Sequence, residues 1–148
     1  QSEEGSISFL LIFLFLIAAI SSLVVVDLSD AYLAKRQLAQ IGEAAANLGS
    51  HQIDLNRYYS DGLVDNGMGF KQVPLDCNSA IVKSQEFINS NSIRGNTIYL
   101  ANWNCNGDRL TLKLESSIKP IIQLPIISTS IGQSFHISAK VIASAVIR

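Results

Sequence analysis

Twenty consecutive residues without a charge, Ile7 to Val26 (ISFLLIFLFLIAAISSLVVV), restrict this chain more than anything else in it. Fifteen of them are Leu, Ile, Phe or Val, and two more are Ala. A helix rises about 1.5 Å per residue, so the run spans roughly 30 Å, the thickness of a bilayer's hydrocarbon core. Fifteen such side chains favour insertion by roughly 5–9 kcal/mol, before small penalties for Ser8, Ser21 and Ser22. The segment belongs in a membrane or in the apolar centre of an assembly. It is too long for the h-region of a cleaved signal peptide, and no small-x-small cleavage site follows Val26.

Helical character continues past Val26. DLSDAYLAKRQLAQIGEAAANLGSHQ has no Pro and is rich in helix formers. Ala31, Ala34, Leu38, Ile41, Ala45 and Leu48 recur at spacings of three and four, which places them on one stripe. Gly49 is the expected C-cap. A helix from about Ser6 to Leu48 would be roughly 65 Å long. Its first half needs lipid or other helices around it, and its second half needs a small domain on one side. Small residues on the stripe allow that domain to approach closely. Asp27 and Asp30 share a face at the apolar boundary. They form either a solvated collar or ion pairs with Lys35 or Arg36 of a neighbouring copy.

The chain has 148 residues, so about one hundred remain for a single small head. A formal charge of -1 gives no electrostatic case for nucleic acid or anionic lipid. Cys77 and Cys105 fit one disulfide, which points to a compartment outside the cytosol; the alternative is two buried thiols. No Lys or Arg precedes the apolar run while Lys35 and Arg36 follow it, which by the positive-inside rule would leave the C-terminal part in the cytoplasm. A basic leader removed ahead of Gln1 would reverse that count, and the cysteines favour an exterior head.

From Ser50 to Asp76 the pattern is aperiodic, with turn signals at Asp61-Gly62, Asn66-Gly67, Gly69 and Pro74. Ile53, Leu55, Tyr58 and Tyr59 are expected to fold back on the long helix. Asp54, Asp61 and Asp65 lack the spacing and terminal Glu of a calcium loop, and Asn102, Asn104 and Asn106 offer amides where one needs carboxylates. Asp76 is the expected N-cap of a short helix from Asn78 to about Asn89, with Ala80, Ile81, Phe87 and Ile88 on one face. Strands follow at Thr97–Trp103, at Arg109–Glu115 with Leu110, Leu112 and Leu114 inward, and at Phe135–Ile147. Asn106-Gly107 marks a hairpin whose turn carries Cys105. Pro120 and Pro125 make the intervening stretch an edge or a loop. His51 and His136 read as surface residues. The expectation is an α+β fold: residues 1–49 a long helix, residues 50–148 a head with a short helix and a three- to four-stranded antiparallel sheet. No nucleophile–base pair, metal cluster or phosphate loop appears, so neither an enzyme nor a cofactor is expected.

The first fifty residues resemble the N-terminal module of tight-adherence (Tad, or Flp) pilus proteins, particularly the TadE/TadG-like group of type IV pilin-like proteins. The matching features are Glu4-Gly5-Ser6, the apolar helix, Asp27, Tyr32, Lys35-Arg36 with Leu38, and Ala44-Ala45-Ala46. The remaining hundred residues are similar in plan, including GDRLTLKLESSI before a Pro-containing stretch. The resemblance implies a precursor cut by a prepilin peptidase, held in the inner membrane beside an assembly platform, and then polymerised with identical and other pilus subunits at the cell surface. Ile7, Phe9, Leu10, Phe13, Leu14, Leu16, Ile17, Leu23 and Val26 would then form the membrane or filament core. Glu3 and Glu4 are the candidates for pairing with a neighbour's terminal amine, with Asp27, Asp30, Lys35 and Arg36 as further inter-subunit charges. A membrane-anchored assembly component that never polymerises is the alternative.

Overall fold

In the computed structural model, residues 4–60, 64–65, 71–119 and 134–147 are described. The turns at Asp61-Gly62 and Asn66-Gly67, together with Gly69, Pro120 and Pro125, lie outside them. One helix, α1 (Glu4–Ser50), runs 47 residues without a break, about 70 Å. After it come a single-turn helix α2 (Leu55–Ser60), two-residue strands β1 (Val64–Asp65) and β2 (Lys71–Gln72), and helix α3 (Cys77–Asn89). Strands β3 (Ser92–Ile93), β4 (Asn96–Asn106), β5 (Arg109–Ile118), β6 (Phe135–Ser144) and β7 (Val146–Ile147) complete the chain. β3-β4-β5-β6 form a curled antiparallel sheet in sequence order, and β1, β2 and β7 form a second, minimal one. The long helix packed on an α+β head is as the hydrophobic periods require.

The core is the layer between the C-terminal half of α1, helix α3 and the inner face of the larger sheet. Leu110, Leu112 and Leu114 of β5 are fully buried, and Ile137, Ala139, Val141 and Ala143 of β6 lie opposite their side of the ladder. From α1 come Ala34, Leu38, Gly42, Ala45, Ala46 and Gly49, every one of them buried. Leu48 is 45% exposed, so the buried stripe is rotated from the one that spacing alone predicts. Gly49 likewise differs from the expected C-cap. It is helical, and a Cβ there would stand 2.5 Å from both Leu110 Cδ2 and Ser84 Oγ. Close approach of helix and sheet, not a left-handed turn, is what requires glycine at this position.

Asp76 caps α3 as expected, its carboxylate accepting from the backbone N–H groups of Asn78 and Ser79 and from the Ser79 hydroxyl. Those donors hold its carboxyl below the usual range. Ala80, Ser84 and Ile88 form the buried face, and Ser84 Oγ donates to the Ala45 carbonyl of α1 at 2.9 Å. Ile53, Leu55 and Tyr59 are exposed and do not cover the long helix. Here short-range geometry prevails: Asp54 accepts from the Arg57 N–H and starts α2, while Ile53 bridges to Leu75.

β4 carries a bulge. Leu100 opposes Leu114 but Asn102 opposes Lys113, leaving Ala101 as an extra residue. The inward set changes from Ile98 and Leu100 before the bulge to Trp103 and Cys105 after it. Cys105 thus lies in the strand rather than in the turn, which is Gly107-Asp108 with Gly107 at φ +63°. It is bonded to Cys77 at the start of α3, with Cα atoms 5.8 Å apart. β6 ends at Ser144, and Ala145 turns the chain into β7; the single strand expected over Phe135–Ile147 is therefore two.

Candidate functional site

Every one of residues 7–26 is exposed. Their large side chains range from 36% exposed at Leu23 to 75% at Phe9, and Ile7, Leu10, Phe13, Leu14, Leu16, Ile17 and Val26 fall between. Mean hydropathy reaches 3.1 over eighteen residues of this helix, which makes it long and apolar enough to cross a membrane. Leaving fifteen such side chains in water would cost on the order of 20 kcal/mol or more, beyond the net stability of a small domain. Polar interruptions are muted. Ser21 Oγ donates to the Ile17 carbonyl and Ser29 Oγ to the Val25 carbonyl, each at 2.8 Å, so neither hydroxyl needs water.

The boundary between this uncovered half and the head is marked by an ion pair. Asp30, only 8% exposed, meets the Arg94 guanidinium through both carboxylate oxygens. Arg94 and Gly95 are the two central residues of the β3–β4 turn, at φ +53° and +75°, the pattern of a type I′ hairpin. A left-handed conformation is costly for a residue with a Cβ, and the bidentate pair to α1 holds Arg94 in it. Hydrogen bonding from Arg94 lowers the Asp30 carboxyl below its ordinary value, opposed by burial, and the same bonds raise the guanidinium.

Asp30 therefore differs from both sequence expectations: it is neither in a solvated collar nor directed at another copy. Its place on the Asp30-Ala34-Leu38 row of the buried stripe was the available signal that it needs a partner. Arg94, an isolated arginine in a turn, carried no periodic signal of its own. Asp27 is half-buried, Lys35 and Arg36 are exposed. Glu3 and the side chain of Glu4 lie outside the described residues. Cys77 and Cys105 are joined and sit at the far end of the head, where Leu75 N–H donates to the Gly107 carbonyl.

No family model, curated protein or solved structure matches the chain. His51 and His136 are exposed. Among the described residues no three His, Cys, Asp or Glu side chains stand together as metal ligands. Two shallow open grooves, about 310 and 500 Å³, flank Phe87 along the α1–α3 seam.

Proposed function

We propose that this chain is a structural subunit of a type IV surface pilus of the Tad/Flp kind, polymerising through its apolar N-terminal helix. One observation carries the reading: twenty uncharged residues, seventeen of them apolar, project uncovered from a head into which the same helix is built. A plain anchor needs only a span and a tether. Here the helix enters the head's core at Asp30 without a linker, so displacement of the head moves the span with it. That coupling suits a subunit whose position in an assembly is set by its helix. Ile7 to Val26 waits in the bilayer and later exchanges lipid for identical helices, since both surroundings bury the same side chains. The head, stapled by Cys77–Cys105, is displayed outside the cytoplasm.

Pili sheared from intact cells and probed for this chain provide the test. The reading expects the chain in the filament fraction at stoichiometric or minor levels. Its confinement to the membrane fraction would assign it to the assembly machinery instead.

A further inference from the structure

We infer that the lower rim of the head, ringed by Tyr32, Lys35, Arg36, Lys119 and Phe135, is a contact surface for the headgroup layer of an anionic phospholipid membrane. This rests on the membrane stage of the proposed function. The apolar run ends at Val26 and the first buried residue of the head is Asp30. Three intervening helical residues amount to about 4.5 Å. A headgroup layer is roughly 5–8 Å thick on each side of the hydrocarbon, so the rim falls within or directly against it.

Sheet direction brings a second element to the same level. Gly49 of α1 faces Leu110 and Gly42 faces Leu114, so β5 descends toward the apolar half as the sequence advances. Another five residues, at about 3.4 Å each, carry it to Lys119 near the level of residue 31 of α1. Lys119 is exposed there, and Phe135, paired with Ile118, is 40% exposed. On the helix, Tyr32 is 68% exposed, and Lys35 and Arg36 are exposed too. Helical side chains tilt toward the N-terminus, so those two cations reach down toward the boundary.

Charge favours lipid phosphate at this rim. Asp30 and Arg94 cancel one another, leaving three exposed cations against Asp27. Exposed aromatic side chains with basic neighbours match the chemistry of a membrane interface, where a ring and an ammonium stem sit half in water. The whole-chain charge of -1 conceals this asymmetry. A second copy could also cover the rim, and that arrangement is separated by the experiment.

The full chain, with Cys77–Cys105 kept oxidised, is reconstituted at low density into phosphatidylcholine vesicles with or without phosphatidylglycerol. A thiol-reactive fluorophore is attached at Lys119→Cys or, as the distant reference, at His51→Cys, about 35 Å above the span. Flotation with the vesicles establishes insertion, and a headgroup-attached nitroxide lipid supplies the quencher. Quenching at position 119 several-fold above that at 51 is expected, stronger with phosphatidylglycerol. The variant Lys35→Glu/Arg36→Glu should lose the phosphatidylglycerol enhancement, while the comparison of the two label positions needs no charge variant. Equal quenching at both positions in floated chain would overturn the rim assignment and leave the span intact. Protection at 119 that grows with protein density would also overturn it, assigning the surface to a second copy. Failure to float would overturn the span and, with it, the rim.

Discussion

Replacing Gly49 by alanine separates two physical accounts of the same residue by sign. In an exposed helix interior the change stabilises by about 1 kcal/mol, because alanine loses less chain entropy. At this position the new methyl would stand 2.5 Å from Leu110 Cδ2, 2.5 Å from Ser84 Oγ and 3.1 Å from the Ala80 carbonyl oxygen. Leu110 is fully buried and Ala80 O belongs to the α3 backbone, so neither gives way freely. Overpacking of this kind costs about 1–3 kcal/mol. Moving Ser84 also endangers its bond to the Ala45 carbonyl, worth about 1 kcal/mol more. Against the propensity gain, the net is a loss of about 1–3 kcal/mol. For a domain of this size that is a fall in Tm of roughly 4–12 °C. Thermal melts of the full chain in mild detergent, followed by near-UV circular dichroism, would measure it. An unchanged or raised Tm would refute the close-packing argument and return Gly49 to an ordinary helix end.

Asp30→Asn should cost about 1–3 kcal/mol, a burial penalty reduced by the partial exposure of Arg94, and a double-mutant cycle with Arg94→Gln should show coupling. Because the folded carboxyl titrates below its unfolded value of about 3.9, the pair's contribution is complete above that pH and is lost as pH falls through the folded value. The wild-type advantage over Asp30→Asn should thus be flat from pH 5 to 8 and shrink only in stronger acid, as urea midpoints would show. Reducing Cys77–Cys105, which are 28 residues apart, should lower stability by about 3–4 kcal/mol. Unfolded, unreduced protein should present no reactive thiols, and two would disprove the bond. Leu14→Arg together with Ile17→Arg should cost about 6–8 kcal/mol of insertion free energy, enough to offset most of what favours the span, seen as loss of the carbonate-resistant membrane fraction.

Patterns of period 3.6 and 2 made much of this fold readable. The alternation Leu110-Leu112-Leu114 predicted the inner face of β5, and Asp76 predicted where α3 begins. The apolar run and the cysteine pair were equally direct, since composition alone suffices for each. What failed depended on distance in sequence. The helix stripe was misplaced toward Leu48 because hydrophobicity outweighed size in the reading, whereas the contact selects small residues such as Gly42 and Gly49. The partner of Asp30 lies 64 residues away, in a turn whose left-handed arginine no propensity favours. α2 and the two-residue strands were missed because elements so short are decided by single hydrogen bonds, such as Asp54 to the Arg57 N–H.

The extra residue in β4 has one more consequence. Were Ala101 paired with Lys113 instead of bulged out, every side chain from Asn102 to Asn106 would exchange faces, and the Cys105 thiol would point to solvent on the side away from Cys77. Oxidation can therefore close the intrachain bond only on chains that have paired β4 with β5 in the proper register. A chain slipped by one residue keeps two thiols and is open to mixed disulfides with other molecules. The covalent bond in this head thus works as a checkpoint: it preserves a pairing decision already made, and it leaves the wrong decision chemically visible to any thiol reagent.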